Sequence, residues 1–154
     1  MINVVLHTPQ IPPNTGNVIR LMANTGCRLH LIEPLGFDFE IKALRRAGLD
    51  YHDLADVQRY RDFAAFRAAH PNKTIYAITT KGTCSYASVR FNSDDVLLFG
   101  SETAGLPNEV MAQVPSAQRL RIPMQPNNRS LNLSNAVAIV VYEVWRQFDF
   151  DGGQ

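Results

Sequence analysis

The chain has 154 residues, enough for one domain that buries roughly two-thirds of its unfolded surface. Its 45% apolar and 19% charged residues are ordinary for a globular protein, and a formal charge of +1 lacks the broad basic excess of many nucleic-acid binders, so any such contact must come from local Arg and Lys clusters. Two distant cysteines, Cys27 and Cys84, without CxxC spacing, argue against a disulfide scaffold or a zinc ribbon and for a reduced, cytoplasmic setting.

The opening MINVVLHTPQ has no basic leader, so no signal peptide is expected, and INVVLH (2–7) reads as the first strand. NTGNVIR (14–20) then opens a helix expected over Asn14–Thr25, with Asn14 as its cap and Gly26 as its stop. Asn17 and Arg20 lie three apart and share a face. An amide beside a guanidinium suits a ribose hydroxyl or a phosphate. Taken alone, the plainer reading is a capped surface helix with a solvated Arg.

RLHLIE (28–33) reads as a second strand, and a helix over Phe39–Ala47, closing at Gly48, carries Lys42, Arg45 and Arg46. A further helix is expected over Tyr60–His70, stopped by Pro71, and TIYAIT (74–79) as the next strand. DVLLFG (95–100) runs into the Gly-rich turn of LLFGSETAGLP (97–107). Gly100 and Gly105 have phosphate-loop spacing, but Leu106-Pro107 stands where Lys-Ser/Thr is required, and the stretch is not a GxSxG elbow either. Glu102 either ties this turn by accepting backbone hydrogen bonds or faces a ligand cation. Asn108–Val114 lies between Pro107 and Pro115 as a short helix, and QRLRIP (118–123) is the last strand.

IPMQPNNRSLNLSN (122–135) has two prolines and then a dense run of amides and hydroxyls, with Ser130 as the expected helix cap. The last helix is expected from about Leu131 to Phe148, with residues from 149 onward as a frayed tail. Its apolar run AVAIVVY (136–142) is too short to span a bilayer. Asn132, Asn135, Glu143, Arg146 and Gln147 form one narrow polar stripe, and nearly everything else from Ala136 is apolar. One sheet face cannot cover such a helix, so a second copy of the chain is the expected partner, against the alternative of a helix sandwiched within one domain. The four histidines, at 7, 30, 52 and 70, lack metal-ligand spacing, and no metal site is expected. Alternating strands and helices predict an α/β, doubly wound, mostly parallel sheet with helices on both faces. Ligands then belong at the carboxyl ends of the strands, after Thr79, Gly100 and Pro123.

In that order, NTGNVIR, LLFGSETAGLP and IPMQPNNRSLNLSNAVAIVVYE resemble the three motifs of the SPOUT methyltransferase superfamily, and the single short domain (1–154) resembles its minimal TrmL/YibK-type subfamily. The resemblance implies a C-terminal trefoil knot, a homodimer without membrane attachment, and 2′-O-methylation of the wobble ribose (position 34, cytidine or modified uridine) in the anticodon loop of leucine tRNAs by S-adenosylmethionine. It implies cofactor contacts along Ile78 to Thr80, Leu98 to Gly100 and Glu102, Ile122 to Met124, and Ser130, Leu131 and Leu133. It gives Arg20 and Asn17 to the reacting nucleotide, and Asn14, Arg129 and Tyr142 to the RNA or the dimer edge. Arg119 and Arg121 join Arg129, and Lys42 joins Arg45 and Arg46, as candidate RNA contacts. Two other expectations compete: a related enzyme acting on another tRNA or rRNA ribose, and a non-catalytic RNA-binding dimer.

Overall fold

A computed structural model describes residues 2–40, 45, 46, 48, 49, 53 and 56–154. In chain order these give β1 (Asn3–His7), α1 (Pro12–Thr25), β2 (Arg28–Ile32), β3 (Val57–Tyr60), α2 (Phe63–Ala69), β4 (Ile75–Ile78), β5 (Cys84–Ser85), β6 (Val96–Phe99), α3 (Asn108–Met111), β7 (Arg119–Arg121) and α4 (Leu133–Gln147). The seven strands form one sheet in the order β3-β2-β1-β6-β4-β7-β5, and every strand pair is parallel. The helix expected over Phe39–Ala47 rests on residues 41–44 and 47, which lie outside the described residues, as do Lys42 and His52.

Alternation along the central strands splits the core into two layers. On one face Leu97 and Phe99 of β6 meet Val18, Ile19 and Met22 of α1 and Val137, Val140, Val141 and Val144 of α4. On the other, Val96 and Leu98 meet Phe63 and Phe66 of α2 and Val110 of α3. Both faces are covered, which is why the strands read as unbroken apolar runs rather than alternating ones.

Several ends differ from expectation. Pro12 and Pro13 occupy the first helical positions of α1 and Ile11 is its N-cap. Proline has no N–H to lose there and its φ is already helical. Asn14 therefore lies inside the helix, 6% exposed, and does not cap it. Tyr60 ends β3, and α2 begins after Asp62, whose carboxylate accepts from the Ala65 N–H at 2.7 Å. The α4 cap is Asn132, not Ser130: its Oδ1 accepts from the Asn135 N–H at 3.2 Å. Turns follow α4, and the Trp145 indole donates to the Asp151 carbonyl at 3.0 Å.

Candidate functional site at the carboxyl ends of the strands

Parallel strands deliver their carboxyl ends to one edge of the sheet. There, the loops after β4, β6 and β7 and the start of α4 enclose a pocket of about 470 Å³. Ile78, Phe99, Ile122, Met124, Leu131 and Leu133 supply apolar walls, and Thr79, Thr80, Ser101 and Ser130 supply hydroxyls. Backbone N–H and C=O groups of three irregular loops add to this lining. Such a lining suits a flat heterocycle held between aliphatic side chains.

Close packing of the β6 loop depends on Gly100. A Cβ at that position would collide with the backbone of Gly105 and Leu106. Ser101 closes the turn by accepting from the Ala104 N–H at its hydroxyl (3.2 Å) and from the Gly105 N–H at its carbonyl (3.1 Å).

Glu102 takes the first of its two expected roles. Its carboxylate accepts from the Gln10 N–H at 2.8 Å, the Ile11 N–H at 3.1 Å and the Asn14 amide at 3.4 Å. The first two are backbone groups at the entrance to α1, where a helix terminus favours negative charge. The Asn14 Oδ1 in turn accepts from the Asn132 amide at 3.0 Å. One polar chain thus joins the β6 turn, α1 and the start of α4. In the third motif the Asn132 amide makes this tie, and the Asn128 amide donates to the Gln125 carbonyl at 3.3 Å, so these two fix the loop.

Of the sequence-predicted residues, Ile78, Thr80, Gly100, Glu102, Ile122, Met124, Ser130, Leu131, Leu133 and Asn14 line this pocket. Leu98 does not. Strand alternation turns its side chain into the opposite core layer, beside Val5 and Phe66, and Phe99 faces the pocket side instead. Asn17 and Arg20 share the exposed face of α1 outside the pocket. Arg20 lies six positions after Asn14, about 9 Å along the helix axis. The Arg20 guanidinium donates to the Gly48 carbonyl at 2.5 Å. Arg129 is exposed beyond the lining, and Tyr142 is 45% exposed on α4. Arg45 and Arg46 are exposed. Arg119 is half-buried and donates to the Val114 carbonyl at 2.8 Å, while Arg121 donates to the Thr80 carbonyl. These two cations serve loop geometry as well as charge.

Sequence reasoning passed over Lys81, Ser101 and Ala104 in the lining. Lys81 and Glu102 are the only charged side chains among the lining residues. Among the described residues, the lining offers no imidazole, thiol or second carboxylate to act as nucleophile or general base. Among the described residues no group of three or more His, Cys, Asp and Glu is placed to hold a metal, and no helix is long and apolar enough to cross a membrane.

The profile of the SpoU rRNA Methylase family matches residues 1–142. A tRNA (cytidine(34)-2'-O)-methyltransferase of Escherichia coli strain K12 is 54% identical over 152 residues, covering 99% of this chain and 97% of that protein. A solved structure described as giving insight into 2-OH methylation of C/U34 on tRNA is 44% identical, with a TM-score of 0.89 and 97% of each chain covered. The SpoU methyltransferase AviRb of Streptomyces viridochromogenes, solved with AdoMet, is 26% identical, with a TM-score of 0.78 over 99% of this chain and 58% of that one.

Proposed function

The chain belongs to the SpoU rRNA Methylase family, and from that premise we propose that it transfers a methyl group from S-adenosylmethionine to the ribose 2′-hydroxyl of nucleotide 34 of tRNA. The observation that carries the reading is the convergence of the loops after β4, β6 and β7 on one nucleoside-sized, aliphatic-walled pocket, with the β6 turn, α1 and the start of α4 tied by the Asn132–Asn14–Glu102 chain.

The pocket suits this donor on its own chemistry. Its volume falls within the range of about 300–1,000 Å³ usual for small-molecule sites. Ile78, Ile122 and Leu133 would flank the adenine, with the surrounding main chain reading its edge. When bound, the donor supplies a methyl already activated by its sulfonium, with a neutral thioether as leaving group. What remains for the protein is alignment and management of one proton.

Arg20 and Asn17 are given the nucleotide. A guanidinium stays protonated, so Arg20 acts on the neighbouring phosphate and on the negative charge developing at the 2′-oxygen, not as the base. Asn17 orients the ribose. The proton passes to a phosphate oxygen or to water.

The reading includes a homodimer in which Arg20 of one copy faces the pocket of the other. Two features support it. Arg20 and Asn17 lie outside their own chain's pocket. Ile11, Leu131, Ile139 and Tyr142 are exposed at 42%, 39%, 37% and 45%, and they lie on or beside the same two helices, α1 and α4. Exposed apolar groups gathered on one side of a domain favour a self-complementary contact. A cytoplasmic setting and the trefoil threading of the C-terminal loops go with this reading.

Incubation with methyl-labelled S-adenosylmethionine and bulk tRNA tests it. Label should enter tRNA and make the phosphodiester bond 3′ to nucleotide 34 resistant to alkali, because the blocked 2′-oxygen can no longer attack. Absence of label would favour the non-catalytic dimer, and resistance at another nucleotide would move the substrate assignment.

A further inference from the structure

We propose that the Lys81 ammonium is the counter-ion of the methyl donor's α-carboxylate, an assignment that rests on the S-adenosylmethionine reading above. The donor brings a carboxylate, an ammonium and a sulfonium into a largely apolar pocket. A carboxylate leaving water requires a cation or strong donors to offset its desolvation. Among the described residues, Lys81 is the only cationic side chain in the lining.

Elimination among the neighbouring cations leads to the same residue. Arg119 and Arg121 are both turned onto backbone carbonyls, those of Val114 and Thr80. Arg129 is outside the lining. Among the described residues the Lys81 side chain is in no ion pair or hydrogen bond. The one lining anion, Glu102, is committed to the entrance of α1, so no internal salt bridge competes for the ammonium.

The backbone that carries Lys81 is held at several points. Its own N–H donates to the Thr79 hydroxyl at 3.1 Å, the Gly82 N–H to the Thr79 carbonyl at 3.1 Å, and the Thr79 N–H to the Leu120 carbonyl at 2.9 Å. Gly82 packs so tightly on β7 that a Cβ there would approach the Leu120 carbonyl carbon at 2.5 Å. A turn held this firmly presents its lysine at a fixed place on the rim. Only the side chain has to be ordered when the donor arrives, which keeps the entropic cost of the contact small.

The test is calorimetric titration of the full chain with two ligands. S-adenosylhomocysteine retains the amino-acid tail, whereas 5′-methylthioadenosine has the same adenosine and thioether without it. Lys81→Ala should weaken S-adenosylhomocysteine by about tenfold or more, as for the loss of a charge-assisted hydrogen bond, and leave 5′-methylthioadenosine unchanged. Lys81→Arg should recover most of the lost affinity. Equal weakening of both ligands, or no weakening of either, would overturn the assignment. So would unchanged S-adenosylhomocysteine affinity with weakened tRNA binding, which would give the cation to RNA. Wild-type protein that binds neither ligand would bring down the donor reading itself, a failure distinct from those of Lys81.

Discussion

Arg20 shows how far a single residue can be read. From sequence it is one solvated Arg on a helix, and only its motif context marks it. The structure sets it on the outer face of α1, donating to the Gly48 carbonyl and away from its own chain's pocket. Arg20→Ala should therefore leave S-adenosylmethionine affinity unchanged by calorimetry. Turnover on tRNA should fall by about two orders of magnitude or more, the scale for losing a group that stabilises developing negative charge. Arg20→Lys should recover little if two N–H groups act together, and most of the rate if charge alone matters. Near-normal turnover in Arg20→Ala would remove the residue from the mechanism. Leu98 carries the opposite lesson. The resemblance names a stretch of chain, but period-2 alternation decides which of its side chains meet the pocket, and Leu98 is turned to the other layer. Lys81 was passed over because one lysine after a strand has no pattern to distinguish it from a solvated one.

At the scale of elements, β1, β4 and β6 were legible because both faces are covered and the runs are mostly apolar, whereas β7 (RLR) buries only Leu120. The edge strand β3 was not. Its sequence VQRY has two exposed polar residues and no apolar run, and the turn at Asp62 that separates it from α2 depends on one side-chain cap. β5 has two residues, too few for any periodicity. The start of α4 was misjudged because Ser130 and Asn132 are both good caps by type; the tie from Asn132 to Asn14, 118 positions away, decides between them.

The region between β2, β3 and α2 also makes a prediction. His30 is 1% exposed, with Nε2 at 3.1 Å from the Asn3 Oδ1 and Nδ1 at 3.2 Å from the Tyr60 hydroxyl. Tyr60 is itself 3.1 Å from the His70 Nε2, and the Phe66 ring packs edge-on against His30. Burial first, then the positive field of His70, Arg28 and Lys73, lowers the His30 pKa to about 4. An unfolded histidine titrates near 6.5. The unfolded chain therefore binds the proton more readily across that window, and stability falls as pH drops from about 6.5 to 4, by about 3 kcal/mol for this group. Urea midpoints between pH 7.5 and 4.5 should show the loss, and His30→Asn should flatten it. A midpoint that holds constant over this range would contradict the assignment.

For the whole molecule, the layered sheet gathers three sequence-distant loops at one edge, while on one face α1 carries Arg20 and α4 carries the exposed Ile139 and Tyr142. The α/β class followed from the alternation of strands and helices. The strand order did not: β6 inserts between β1 and β4 through parallel registers that no local pattern encodes. The narrow polar stripe expected on α4 is partly internal. Gln147 donates to the Val89 carbonyl at 2.9 Å and accepts from the Phe91 N–H at 3.0 Å, which leaves Ile139 and Tyr142 on the outward face between Asn135 and Arg146. The contact between copies proposed above would cover them.

The central claim, a donor pocket completed by the other copy's guanidinium, is tested most directly by mixing two inactive variants. Arg20→Ala lacks the guanidinium, and Ile122→Arg fills the pocket. Each should be inactive alone. After dissociation and reassociation together, activity on tRNA should return, because the intact pocket of the first then meets the intact Arg20 of the second. A mixture that forms mixed dimers yet stays as inactive as its parents would contradict the account.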